Sequence, residues 1–257
     1  MENKVAQWLA ENRLQGVRSC QILDGQTRCS HKLETTDGEQ YVLRQPSQRA
    51  INLGVDFQQE VQILRLIAPL NIAPQVVAHT ETFSLLQWIE GQSPREFSDH
   101  LLIQLADLLA KLHQFSPLQA VGFRQISTRL NLAERCQFLW EQLSPCQQQA
   151  LPFSPPFPHI EPFGEAICHH DLHLGNLIQQ GDHIYLIDWE YAALSDPALE
   201  FALLWANNPF NQDQQNRLLS RYLSQTGWEK TLFLAKIGEY QPLVTQLNQL
   251  WALLARN

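Results

Sequence analysis

The 257-residue sequence predicts an α+β protein of two lobes, a small antiparallel β-sheet N-lobe with one helix followed by a mainly α-helical C-lobe. Three observations carry that expectation. Hairpin signals crowd the first fifty residues, helical apolar stripes dominate after residue 98, and the aperiodic stretch Glu90-Gly91-Gln92-Ser93-Pro94 separates the two regimes. The lobes are therefore expected over residues 1–91 and 92–257.

An amphipathic start places Val5, Trp8 and Leu9 on one side. Three β-like runs follow, at 17–23, 29–35 and 40–44, separated by Asp24-Gly25 and Asp37-Gly38. Such dipeptides favour hairpins because glycine takes positive φ without a Cβ clash. A helix is expected over 56–68, with Phe57, Val61, Leu64, Ile67 and Ala68 on its apolar stripe, Glu60 off it, and Pro69 ending it. Residues 75–80 and 83–89 then read as a second antiparallel pair.

Beyond the boundary, Ser98 is a natural N-cap for a helix whose leucines at 101, 102, 105, 108, 109 and 112 recur at helical spacing. A second helix is expected over 131–143. Five prolines between 152 and 162 exclude helix and central strand there, leaving an irregular connector. Short strands are expected at 166–168, 177–179 and 184–187, and helix from Pro197 to the end with a break near Thr226-Gly227.

Composition narrows the function classes. At 44% hydrophobic and 17% charged, the chain is neither disordered nor fibrous. A formal charge of −8 without a basic run argues against nucleic acid. No apolar stretch reaches the roughly 18 residues of a membrane span. The start Met1-Glu2-Asn3-Lys4 lacks a secretory pattern, so a cytoplasmic protein with no membrane partner is expected. Five cysteines, Cys20, Cys29, Cys136, Cys146 and Cys168, form no CxxC pair, as befits packed reduced thiols.

The chemistry-bearing stretch runs from Ile167 to Ile178. Between two short apolar strands it sets His169, Asp171 and Asn176 in an H-x-D-x-x-x-x-N pattern, and Asp188 follows at the end of the next strand. Phosphoryl transfer needs such a set, because a loose transition state leaves the protein mainly to orient an acceptor hydroxyl and to hold Mg²⁺ against the phosphates. Asp171 suits the first task. Asn176 and Asp188 supply the hard oxygen donors that Mg²⁺ prefers. His169, His170 and His173 could also suggest a metallohydrolase cluster, but that reading leaves Gly175 and Asn176 without a role. Cys168 beside a histidine reads as a buried strand thiol rather than a nucleophile.

These motifs resemble those of the aminoglycoside phosphotransferase and choline kinase superfamily, which shares the protein-kinase bilobal fold, and the resemblance spans nearly the whole chain. The combination of Tyr41-Val42-Leu43-Arg44-Gln45-Pro46, the H-x-D-x-H-x-G-N loop, Ile187-Asp188-Trp189-Glu190-Tyr191-Ala192 and Asp196-Pro197-Ala198-Leu199-Glu200 looks most like bacterial thiamine kinases, with choline and ethanolamine kinases next. The resemblance implies ATP and Mg²⁺ as cofactors. It implies Asp171 as catalytic base, His169 as a brace for its loop, and Asn176 and Asp188 as metal ligands. Arg44 would contact the nucleotide phosphates where kinases place a lysine, paired with Glu60; Arg for Lys keeps the charge and adds a bidentate fork. Adenine would meet the backbone of Gln87 and Ile89, and residues 24–30, with Gly25 as their one glycine, would cover the phosphates. His113 is expected in a structural hydrogen bond.

The acceptor side would draw on Trp189, Tyr191, Trp205, Trp228, Tyr240 and Trp251, with charge from Glu190 and Glu200. Glu190 and Trp205 are the named substrate contacts. An aromatic and acidic lining suits a small cationic alcohol, since a cation gains roughly 0.5–2 kcal/mol over an aromatic face. Thiamine is the expected acceptor, then choline or ethanolamine, then an aminoglycoside. A nucleotide-binding pseudokinase is the rival of another class, and its expected mark, loss of Asp171, Asn176 or Asp188, is absent. Oligomeric state and the choice between ATP and GTP are not legible in the sequence.

Overall fold

A computed structural model of the chain describes residues 16–23, 29–115 and 129–255. The amphipathic start and most of the 24–30 loop lie outside the described residues. Strands β1 (Val17–Leu23), β2 (Cys29–Thr35), β3 (Gln40–Gln45), β4 (Val76–His79) and β5 (Ser84–Gln87) form one antiparallel sheet in the order β1-β2-β3-β5-β4. Alternation along these strands separates two apolar layers. Leu33, Leu43, Phe83 and Leu85 make a small cluster on one face. Leu86 and Val42 point the other way, into the main core. Arg44, two residues from Val42, shares that inner face and is opposite Ser84 in the ladder.

Helix α1 (Gln48–Asn52) follows β3 and was not expected; Ser47 caps it by accepting from the Ala50 amide. Helix α2 (Phe57–Ile67) starts at Asp56, whose carboxylate accepts from the Gln58 and Gln59 amides. Its buried side contains Phe57, Glu60, Val61, Leu64 and Ile67. Glu60 therefore lies on the apolar stripe, three residues after Phe57 and four before Leu64, which corrects the expectation that it falls off it. One-dimensional patterning placed a carboxylate outside the stripe by polarity alone; helical geometry puts it inside.

Helices α3 (Asp99–His113), α4 (Leu132–Glu141) and α5 (Pro145–Gln149) come next, then the two-stranded sheet of β6 (Ala166–Cys168) with β9 (Ala193–Ser195) and the hairpin β7 (Leu177–Gln180) and β8 (His183–Leu186). Helices α6 (Pro197–Asn207), α7 (Gln212–Thr226) and α8 (Lys230–Leu254) complete the described chain. The final helical stretch breaks twice, at Asn208–Asn211 as well as at Gly227, which takes φ 72° as a left-handed cap. Pro242 lies within α8 without ending it. Leucines of α3 at 101, 102, 105, 109 and 112 are nearly inaccessible, and the main core joins them to α2, α4, α6, α7 and α8. This is the protein-kinase-like bilobal architecture. Among the described residues no helix is long and apolar enough to cross a membrane.

Polar bridges tie the sheet and its helices to the helical part. Gln59 Nε2 donates to Ala192 O at 2.7 Å, Arg135 on α4 donates to the Leu53 and Gly54 carbonyls, and Lys111 Nζ donates to Leu70 O at 2.7 Å. At the connection, Gln92 and Gln179 exchange backbone hydrogen bonds. Gly91 precedes that bridge at φ +146°, and a Cβ there would lie 2.3 Å from the Gln179 carbonyl oxygen. Gly91→Ala is expected to cost about 1–3 kcal/mol, which thermal melts would register as a Tm lower by roughly 2–12 °C.

Candidate active site

The site grows from two short strands and the loops that leave them. After β6 the chain turns through His170 at φ 66°, and after β8 it turns through Asp188 at φ 65°. Left-handed backbone at non-glycine residues costs of order 1–3 kcal/mol and persists only where surrounding bonds hold it. Both turns are so held. His169 Nε2–H donates to Ile187 O at 3.0 Å, joining the two loops, while its Nδ1 accepts the Asp171 amide at 3.3 Å. Trp189, essentially inaccessible, packs edge-on to the His169 ring and donates to Leu186 O at 2.8 Å. His170 Nδ1–H donates to Tyr191 O at 3.0 Å. Burial holds the His170 imidazole below its ordinary pKa, so it stays neutral.

Beneath the first turn sits Glu200 of α6, 1% exposed. Its Oε1 accepts both the His169 and His170 amides at 2.8 Å, and its Oε2 accepts from His113 Nε2 at 2.7 Å. His113 Nδ1 in turn accepts from the Tyr222 hydroxyl at 2.7 Å. Burial alone would push the Glu200 carboxyl up, but the His113 bond and the neighbouring imidazoles outweigh it and bring its pKa down to about 2. Cys168 Sγ lies within 4.8 Å of the Glu200 and His113 ligand atoms. Their lone pairs are already committed to hydrogen bonds, and burial raises the Cys168 thiol pKa well above its usual value, so the trio is a structural network and the thiol is inert. Glu200 was expected in the acceptor lining. The structure corrects this: the carboxylate turns inward to satisfy loop amides that would otherwise be buried without acceptors.

Asp171 emerges from this turn half-exposed. Asn176 Nδ2 donates to Asp171 Oδ2 at 2.9 Å and to Asp171 O at 2.8 Å. With its amino group so engaged, the Asn176 Oδ1 points elsewhere and is available to a cation. His173 Nε2 lies 3.6 Å from Asp171 Oδ2, an ion-pair contact, and the Asp171 carboxylate raises the imidazole pKa despite partial burial.

Across the site, Arg44 is buried among carboxylates. Its Nη1 donates to Glu60 Oε1 at 2.6 Å, its Nη2 is bonded to Asp188 Oδ1, and Glu190 Oε2 lies 3.6 Å from Nη2. Burial works against the charged guanidinium, but Asp188, Glu60 and Glu190 outweigh it and raise its pKa. Asp188, half-exposed beside Arg44, and Asn176, whose backbone carbonyl accepts the Ile187 amide at 3.0 Å, both carry hard oxygen donors on the two loops of the site. That donor set fits a divalent cation such as Mg²⁺. Glu190 was expected to face the acceptor; with a side chain only 2% exposed, it instead faces Arg44. Ion pairing explains the correction, since a buried carboxylate is tolerated only beside a cation.

The aromatic residues divide similarly. Trp189 and Tyr240 are core residues, Tyr240 donating to Asp196 Oδ2 at 3.0 Å, and Trp228 stacks with Phe163, Tyr222 and Phe233. Trp189 and Tyr240, both buried, line no open acceptor site. Trp205 is half-buried near the end of α6 with its ring edge-on to Phe201, and its indole N–H has no acceptor among the described residues. Tyr191 and Trp251 pair through the indole N–H and the phenolic oxygen at 3.3 Å. Burial, with the Glu190 charge, pushes the Tyr191 phenol pKa up. At the connection, the Gln87 amide donates to Gln75 O at 2.9 Å and the Trp88 amide to Gln40 O at 3.4 Å. The Ile89 amide has no backbone partner among the described residues.

Comparison with known proteins gives a consistent family. A family model described as phosphotransferase enzyme family matches residues 20–234. A thiamine kinase of Escherichia coli is 25% identical over 219 residues, 83% of this chain and 74% of its own length. A crystal structure of choline kinase LicA from Streptococcus pneumoniae superposes with a TM-score of 0.71 at 21% identity, covering 100% of this chain and 90% of that one; a second LicA structure contains AMP. A macrolide 2'-phosphotransferase type I structure gives a TM-score of 0.67 at 16% identity, covering 99% of this chain and 92% of that one.

Proposed function

The chain belongs to the phosphotransferase enzyme family, and from that membership we propose that it is an ATP-dependent kinase acting on the hydroxyl of a small cationic alcohol, thiamine first. The observation that carries the kinase reading is the ionic set on Arg44, which draws Glu60 of α2 and Asp188 of the loop after β8 onto one buried guanidinium. A site built this way holds phosphate oxygens at one end and a cation at the other. Asn176 and Asp188 are the residues that would hold Mg²⁺, whose charge would offset that of the phosphates.

The adenine would lie against the connection, reading the Ile89 amide and the Gln87 carbonyl, since the Gln87 amide is already used. The AMP held by LicA supports nucleotide binding by this chain. Asp171 orients the acceptor hydroxyl. As the acceptor oxygen bonds to the γ-phosphorus, the bond from that phosphorus to the β–γ bridging oxygen breaks, ADP departs with the electron pair, and the hydroxyl proton passes to Asp171. Arg44 stabilises the phosphate charge on the departing side. His169 ties the Asp171 loop to the Asp188 loop, so that base and metal ligand keep a common frame.

Thiamine is favoured by the Escherichia coli thiamine kinase similarity and by the Tyr191–Trp251 pair, aromatic rings of the kind that stabilise a thiazolium cation. The test is an ADP-release assay with ATP and Mg²⁺ against thiamine, choline, ethanolamine and kanamycin, with EDTA as a control. Turnover with thiamine that EDTA removes is expected. Turnover with choline, ethanolamine or kanamycin alone would transfer the acceptor assignment to that compound. Nucleotide binding with neither turnover on any of these acceptors nor hydrolysis of ATP would overturn the kinase reading in favour of a pseudokinase.

A further inference from the structure

His173 has two nitrogens with different tasks. The Nδ1 accepts the Gly175 amide at 3.1 Å, closing a short turn, so the ring proton resides on Nε2. That Nε2 faces Asp171 Oδ2 at 3.6 Å. Oδ2 already accepts from Asn176 at 2.9 Å, so the imidazole approaches, within ion-pair distance, the same oxygen that the amide donor holds. The ring reaches this position because residue 175 has no side chain: a Cβ on Gly175 would lie 2.9 Å from His173 Cε1 and 3.0 Å from Nδ1.

We propose that His173 is a positioning residue for the transfer, holding Asp171 Oδ2 through its Nε2–H so that Oδ1 is the oxygen presented to the acceptor hydroxyl, with Gly175 providing the space the ring needs. This rests on the kinase reading above. The carboxylate rotates about its χ2 torsion freely in a half-exposed site, and a single bond from Asn176 pins one oxygen without setting the plane. A second donor on the same oxygen, from the other side of the loop, sets it. The competing role, capping of the Gly175 amide, predicts different behaviour.

The deciding variant is His173→Ser, whose hydroxyl keeps an acceptor for the Gly175 amide while removing the Nε2 donor. Its kcat should fall about 10- to 100-fold, the equivalent of one charge-assisted contact that tightens in the transition state, with KM for ATP and acceptor within about twofold of wild type, as expected when only the transition state loses a contact. Added imidazole should restore part of that loss. Gly175→Ala should lower kcat similarly, and the double variant should be no slower than His173→Ser alone, since both remove one interaction. Rates are measured with whichever panel alcohol the wild type phosphorylates, and by ATP hydrolysis with water as acceptor if none is used. A wild-type kcat in His173→Ser overturns the inference and leaves capping as the residue's role. Independent, multiplying losses in the double variant also overturn it. A wild type without any turnover overturns the kinase reading itself, and the inference with it.

Discussion

Asp171→Asn is expected to lower kcat by about 10²- to 10⁴-fold, the range that general bases contribute, while nucleotide affinity stays near that of wild type. Asparagine keeps the shape of the side chain and an oxygen to accept from Asn176 Nδ2, so the loop has no reason to move. The amide cannot take up the hydroxyl proton. Arg44, Glu60 and Asp188, which would form the phosphate end, do not touch residue 171 in any hydrogen bond or ion pair among the described residues. Single-turnover kinetics beside nucleotide titration separates the two quantities. Equal losses in both would mean that Asp171 organises the cleft instead of acting on the acceptor.

Glu200→Ala should have the largest effect on stability. It leaves the His169 and His170 amides and the His113 Nε2–H without their acceptor, at a position 1% exposed. Removing one member of a buried charged network costs about 3–5 kcal/mol. A Tm drop of roughly 6–20 °C follows, and activity should fall further than stability alone explains because the His170 turn loses its anchor. Glu200→Gln is the milder partner, since it keeps one oxygen. The pH dependence has a definite sign. The folded carboxyl is held at about 2 against an ordinary 4.5, so its stabilisation is fully present above the unfolded value and is lost as pH falls toward about 2. The Tm gap between wild type and Glu200→Gln should therefore narrow below about pH 4.5, and a constant gap down to acid would show that the carboxyl's charge is not what holds the loop.

The strands and the loop from His169 to Asn176 were legible because their signals are local. Turn dipeptides, the alternation of β3 and the proline-rich connector each act through neighbouring residues, and the spacing from His169 to Asn176 lies within a single loop. What was missed depends on partners. Helix α1 is too short to leave a periodic stripe, and β9 is three residues long and exists because β6 pairs with it. His113 and Glu200 are 87 residues apart, and only packing of α3 against α6 reveals that they share a hydrogen bond.

The sequence by itself determined the two-lobed α+β class, the kinase-like motif and the order of its chemistry-bearing residues, because hydrophobic period and local spacing are properties of contiguous chain. Tertiary structure alone decided where the carboxylates point. Glu60, Glu190 and Glu200 look alike in sequence, as charges on or near predicted helices or strand ends. The fold buries the first two beside Arg44 and the third against two backbone amides and an imidazole, because a charge leaves water only where opposite charge or donors from distant segments replace it.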